Sequence, residues 1–204
     1  MIISEHAQLT PEWFSERVGV PSASNFAKVF TTTGKPSTTA QAYMNELVAE
    51  HALGEKEQIK QTEWMEIGIE REAEARNAYE FVNEVSTIEV GFAFKDKSRL
   101  VGASFDGLVE GGGLIEIKCP KASTHIGYLL GGKLPTTYYQ QVHGQLWVAD
   151  GERDWCDFVS YYPGLPMFQI RVEREQKVMD MITGHMDKFI DEMLDKRAKL
   201  AEMQ

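Results

Sequence analysis

Apolar positions along the chain fall into two periods, and the change between them predicts the architecture. Over 40–53 (AQAYMNELVAEHAL) and 63–82 (EWMEIGIEREAEARNAYEFV) they recur at steps of three and four, as in helices. Gly54 stops the first, and the polar stretch GEKEQIKQ leads to the second. At 87–96 the pattern turns to TIEVGFAFKD, rich in β-branched and aromatic residues, which predicts a strand. After a turn at 96–98, RLVGASFDGLVE runs into GGG at 111–113, a hairpin turn from which LIEIKC returns antiparallel. A helix is expected at 136–149, strands at DWCDFVSYYP and MFQIRVER, and a long charged helix at 173–202. That last helix carries Val178, Met181, Ile182, His185, Met186, Phe189, Ile190 and Met193 as its inward stripe. Near the start, Thr10 and Pro11 have the order of a helix cap and first turn. A second short helix is expected from Ser22 or Ser24 through NFAKVF, then a loop at TTTGKPSTT. Without repeats or low-complexity tracts, this is an α+β pattern: a mixed central sheet flanked by helices, in one domain over 1–204.

Polar residues interrupt this pattern in two places. Glu116 and Lys118 share one face of the LIEIKCP strand, opposite Ile115 and Ile117. A regular hairpin through the glycines puts Asp106 on that same face, within about 5–8 Å of Glu116; a bulge in the turn would break the parity. Like charges so close resist ionising together unless a cation joins them, and a hard divalent ion such as Mg²⁺ takes one or two carboxylates plus phosphate oxygens. Lys118 beside it can orient or help deprotonate a water, or stabilise charge on a phosphate. An ordinary Glu–Lys pair on an exposed strand would look the same. The second interruption is Glu72, on the stripe formed by Met65, Gly68, Ile69, Arg76 and Tyr79. A carboxylate there needs a partner: either Arg76 at i+4 or the metal site.

Composition narrows the class. The 204 residues are 43% hydrophobic and 25% charged, ordinary for a globular domain. No apolar run is long enough to span a membrane, and MIISEHAQLT does not have the pattern of a signal peptide. Cys119 and Cys156 are the only cysteines, too few for a disulfide framework or zinc set, so a reducing cytoplasm is expected. The net charge of −10 argues against a protein that coats nucleic acid, though not against a local basic groove.

GIERE, SFDGLV, IEIKCP and YYQQVHGQLWV, in that order after WFSERVGVPSASNF, resemble the PD-(D/E)xK nuclease superfamily. More narrowly they are similar to its bacteriophage lambda exonuclease branch, the YqaJ-type viral recombinases. The resemblance covers nearly the whole chain and implies a restriction-endonuclease-like core. Asp106 and Glu116 match the metal-binding acidic pair, Lys118 the catalytic lysine, Glu72 the helical acidic residue and Gln141 the branch's active-site glutamine. The Ile117 carbonyl would complete the metal ligands. Arg17, Ser22, Ser24 and Ser104 match the positions that hold a terminal 5′ phosphate. Read without the family, Arg17 is equally a surface cation, the two serines helix caps, and Gln141 an ordinary polar residue. Phe105 stands where the signature proline is expected. His125 and His143 are expected to be structural.

The resemblance implies a Mg²⁺-dependent 5′-to-3′ exonuclease acting on double-stranded DNA ends, with two ions and Mn²⁺ as a substitute. It implies a homotrimeric ring, a phage single-strand annealing protein as partner, and a phage or prophage gene expressed in a bacterial cytoplasm. Two alternatives stay open: an endonuclease or 3′-directed nuclease on the same core, and a non-catalytic DNA-binding relative. The second would usually have lost one of Asp106, Glu116 and Lys118.

Overall fold

The computed structural model describes residues 1–56 and 63–203, without the side chains of 63–67 and 69. The polar connection expected after Gly54 falls outside that description from residue 57 on, as do the Met65 and Ile69 side chains of the Glu72 stripe.

Five strands form the central sheet in the order β2 (Thr87–Ile88), β5 (Gly107–Val109), β6 (Gly113–Lys118), β7 (Trp155–Ser160), β8 (Phe168–Glu173). All neighbours are antiparallel except β6 and β7. A parallel pair needs a long crossover, and here it carries α4 (Ala122–Gly131), the 3-10 turn Thr136–Tyr138 and α5 (Tyr139–Val148). A smaller sheet holds β1 (Ile2–Ile3), β3 (Phe92–Phe94) and β4 (Gly102–Ser104). The strand expected over 87–96 is therefore two strands in two sheets. They part at Glu89–Gly91, where a Cβ on Gly91 would lie 2.1 Å from the His6 carbonyl. The expected β-hairpin holds: Leu108 pairs with Leu114, and Gly111 and Gly112 turn the chain at φ 87° and 94°, angles that cost glycine little.

Strand alternation sorts the core. Leu108, Leu114, Cys156 and Phe158 face a cluster with Met44 and Leu47 of α2 (Ala40–Leu53), Val142 and Leu146 of α5, and Ile182 and Met186 of α6 (Gln176–Ala201). Val109, Ile115, Ile117 and Val159 face the other way, against Ala75 and Tyr79 of α3 (Glu63–Asn83). The sheet is thus mixed and flanked by helices, as the periods predict. The α6 stripe is centred on Met179, Ile182, Met186, Phe189 and Met193, with Val178, Met181 and Ile190 at its margins. Among the described residues no helix is long and apolar enough to cross a membrane.

Candidate active site

The site forms where the two sheets fork. Phe92 pairs with Ser104 in the small sheet, and Gly107 pairs with Ile115 in the large one. The chain changes sheet across Phe105–Asp106. Phe105 is fully buried, and its carbonyl accepts from Gln8 Nε2 at 2.7 Å. This aromatic anchor occupies the place of the signature proline.

One step beyond the Gly107–Ile115 pair, the register sets Asp106 across from Glu116, so the parity expected from the hairpin holds. Asp106 Oδ2 accepts the Ile117 N–H at 2.6 Å. In an extended strand the N–H and C=O of one residue point to the same side, so the Ile117 carbonyl also faces the Asp106 side of β6. Glu116 is 1% exposed. A carboxylate so deep requires partners, and among the described residues it has three. Gln141 Nε2 donates to Oε1 at 2.5 Å, Gln145 Nε2 donates to Oε2 at 2.5 Å, and the Lys118 ammonium pairs with Oε1. Lys118 Nζ also lies 5.5 Å from the centre of the Tyr138 ring.

Asp106 is half-buried. That burial, with Glu116 facing it, pushes its pKa well above the usual carboxylate range. Burial opposes the charge on Lys118, but Glu116 and then Asp106 outweigh it and raise its pKa above the ordinary lysine value. This favours the charged form of Lys118 beside the two carboxylates.

Of the two partners considered for Glu72, Arg76 is in hydrogen-bond contact, its Nη2 donating to Glu72 Oε1 at 2.7 Å. Burial raises the Glu72 pKa, Arg76 and Lys118 pull it back, and Glu116 pushes it up again. Arg76 reaches further, donating through Nη1 to the Asp106 carbonyl. Gly107 makes room for this, since a Cβ there would come within 3.0 Å of that nitrogen. One arginine thus ties α3 to the fork. A cavity of about 510 Å³ adjoins on this side. It is lined by Glu72, Arg76, Glu89 and the Ile3–Leu9 segment, and not by Asp106, Glu116 or Lys118.

The four residues matched to a phosphate pocket lie nearby in two groups. Thr10 caps α1 (Pro11–Ser15), its Oγ1 accepting from Trp13 N at 3.3 Å. Just beyond, the Arg17 guanidinium lies 3.8 Å from the centre of the Trp13 ring. Arg17 Nε is buried without a hydrogen-bond partner among the described residues. Ser22 occupies the cap position of the 3-10 turn Ala23–Lys28, yet no side-chain cap bond forms. Its hydroxyl instead lies 3.0 Å from that of Ser24 and accepts from Asn25 Nδ2 at 3.3 Å. A parallel bridge between Ser22 and Gly102 joins this turn to β4, whose last residue, Ser104, has a buried Oγ without a partner among the described residues. Unmet donors on Arg17 and Ser104 suit an incoming anion.

Gln145 and Tyr138 escape the sequence reading. Gln145 was legible in principle, four residues after Gln141 on the same helix face. His125 lies between Ser160 Oγ at 2.8 Å and the Pro166 carbonyl at 2.9 Å. His143 packs 4.3 Å from the Tyr139 ring, and burial lowers its pKa.

Among the described residues no three His, Cys, Asp or Glu side chains converge as a closed metal cage. An open site needs less. Two carboxylates and a neighbouring carbonyl are an all-oxygen set of the kind Mg²⁺ shares with water and phosphate. The Asp106 carboxyl, held against Glu116, is a group that a divalent cation would relieve. The residues present fit the ion.

Comparison with known proteins finds similar chains among exonucleases. An alkaline exonuclease, LHK-Exo, from Laribacter hongkongensis is 34% identical, with a TM-score of 0.79 over 96% of this chain and 100% of its own. Its complex with dAMP matches equally well. A phage-related exonuclease from Haemophilus somnus 129PT, 15% identical over 87% of this chain and 96% of its own, shares the fold at a TM-score of 0.66. No curated protein matches the chain. Residues 12–152, which hold the fork, the acidic pair, Lys118 and both glutamines, match the YqaJ-like viral recombinase domain, and the chain belongs to that family.

Proposed function

We propose that this protein is a Mg²⁺-dependent deoxyribonuclease, one nuclease domain over 1–204, that digests one strand of linear duplex DNA from a 5′-phosphorylated end. It leaves a 3′ single-stranded tail for phage-type recombination. The observation that carries the reading is the meeting of Asp106, Glu116 and Lys118 at the fork. The exonuclease relative and the viral recombinase family support exonucleolytic action on DNA in recombination.

Asp106, Glu116 and the Ile117 carbonyl would hold Mg²⁺, with two ions expected and Mn²⁺ as a substitute. When bound, such ions polarise a scissile phosphate and make a bound water a stronger nucleophile. The chain's own groups do the rest. Lys118 keeps a positive charge where the phosphate gains negative charge. Gln141 and Gln145 fix the Glu116 carboxylate. Glu72, held by Arg76, adds a supporting carboxylate. Arg17, Ser22, Ser24 and Ser104 receive the terminal phosphate. The test is a time course on linear duplex labelled separately at each end, with and without Mg²⁺. Loss of the 5′ label first, only with metal, is expected. Loss of the 3′ label first, or internal cutting of circular DNA, would replace this reading with one of its alternatives.

Each cut that leaves a 5′ phosphate recreates the same anionic end, so a pocket for it keeps the strand in register. A guanidinium contacts two phosphate oxygens at once. Duplex with a 5′ phosphate should therefore be degraded much faster than duplex with a 5′ hydroxyl. In Arg17→Ala that ratio should fall toward one, while the metal requirement stays the same. Equal rates in the wild type, or a ratio untouched by the mutation, would count against the pocket.

An acidic protein gains hold on DNA if it encircles it. By family resemblance a homotrimer is proposed, working beside a phage single-strand annealing protein in the cytoplasm of a bacterial host. Light scattering should give a mass of about three chains, an expectation from analogy. A monomer that still degrades long duplex processively would contradict it.

A further inference from the structure

Gln145 is 1% exposed, and its amide faces three groups at once. Nε2 donates to Glu116 Oε2 at 2.5 Å and to the Ser104 carbonyl at 3.0 Å. Oε1 accepts from the Cys156 thiol at 3.9 Å. The amide can sit only one way round. Turned over, it would set an oxygen against a carboxylate and a carbonyl, neither of which has a proton to give. Burial pushes the Cys156 thiol well above its ordinary pKa, so it remains an S–H donor for the other end.

The two bonds of Nε2 reach different strands. Glu116 belongs to β6 of the large sheet and Ser104 to β4 of the small one, two residues before Asp106. One amide therefore spans the fork that separates the two acidic residues. Glu116 Oε1 is already shared by Gln141 and Lys118 on the more open side, and among the described residues Gln145 alone holds Oε2. Without it, Glu116 would lose its inner anchor, and the end of β4 would lose its tie to the carboxylate.

We infer that Gln145 is a positioning residue that sets the Glu116 carboxylate and the Ser104–Asp106 strand end for the metal. This rests on the metal-dependent reading above. Groups that orient metal ligands from behind typically contribute about 10–100-fold in affinity or activity.

The test is calorimetric titration of the purified protein with Mn²⁺ in the absence of DNA. Gln145→Met keeps the side-chain length and removes both donors, and its dissociation constant should rise by about 10–100-fold. The Mn²⁺ concentration for half-maximal nuclease rate should rise in parallel, with most of the rate recovered at saturating metal. Val142→Ala, a fully buried apolar position on the same helix, is the control for core damage. It should lower the melting temperature and leave Mn²⁺ affinity within about twofold, since apolar truncation creates a cavity without touching a ligand. If Gln145→Met does not fold, Gln145→Asn, one methylene short of Glu116, should show the same rise. A folded variant with unchanged affinity overturns the inference, and so does an equal loss in Val142→Ala. A wild-type protein that takes up no Mn²⁺ overturns the metal reading itself and this inference with it, a result distinct from normal uptake by the variant.

Discussion

Lys118→Ala should lower turnover by about 10²–10⁴-fold, the usual contribution of one electrostatic or proton-transfer group. That corresponds to about 3–5 kcal/mol of barrier. Lys118 is bonded to Glu116 and sits beside Asp106, and its pKa is raised despite burial because both carboxylates outweigh the cost of enclosing it. A lysine so held favours its charged form and is suited to hold charge in place. The loss should therefore appear in turnover at saturating DNA and metal, with DNA binding little changed. The same fixed charge implies that Lys118 sets no alkaline limit on activity below the ordinary lysine range, about pH 10. Because the mutation strips a partner from a buried carboxylate, Lys118→Met, which keeps the stem, is the companion variant. Circular dichroism and melting on both separate a chemical loss from unfolding. Turnover within tenfold of wild type in a folded variant would remove Lys118 from the chemistry.

Much of this site was legible before any coordinates, because each key feature rests on a short-range rule. Alternation placed Glu116 with Lys118, and the hairpin parity placed Asp106 opposite, as the Gly107–Ile115 register bears out. What escaped depends on contacts between distant segments. A run of β-forming residues has the same period in one sheet or two, so the break at Glu89–Gly91 left no periodic trace. The packing of His6 against Gly91, and of Gln8 on Val90 and Phe105, decides it. Helix α4 was missed because ASTHIGYLLG mixes glycine with β-branched residues that favour helices weakly. Its buried His125, bonded to Ser160 and Pro166, shows how packing overrides that preference. Gln145 was hidden by its surroundings: in QLWV it reads as one polar residue within a buried helix, and only its spacing from Gln141 points to the carboxylate. Arg76 looked like a simple i+4 partner of Glu72, and its second role needs Gly107 alongside.

Asp106→Asn should abolish activity and yet stabilise the metal-free protein, and the two effects have one cause. In the folded chain Asp106 is half-buried with Glu116 across from it, and desolvation and that neighbour raise its pKa well above the usual value. A group whose folded pKa is raised contributes stability that is fully present below its unfolded pKa, about 3.9 for aspartate. That contribution is lost as pH rises through the folded value. At neutral pH the wild-type site is therefore a strained one. Asparagine removes the charge, can still accept the Ile117 N–H through Oδ1, and can donate to Glu116 through Nδ2. In EDTA the variant should melt above wild type at neutral pH, and the gap should close as pH falls and the wild-type carboxyl takes up its proton. A domain of this size moves by about 2–4 °C per kcal/mol, so even modest relief is readable. Saturating Mg²⁺ should reverse the order. A ligand at a hundred times its dissociation constant stabilises by about 2.7 kcal/mol, and only the wild type has the carboxylate to take it. The expected signature is a crossing: the variant more stable without metal, the wild type more stable with it, and nuclease activity only in the wild type. A variant that melts below wild type in EDTA would mean that Asp106 and Glu116 do not repel in the folded chain. A variant that keeps the full Mg²⁺ shift would place the ion somewhere other than the fork.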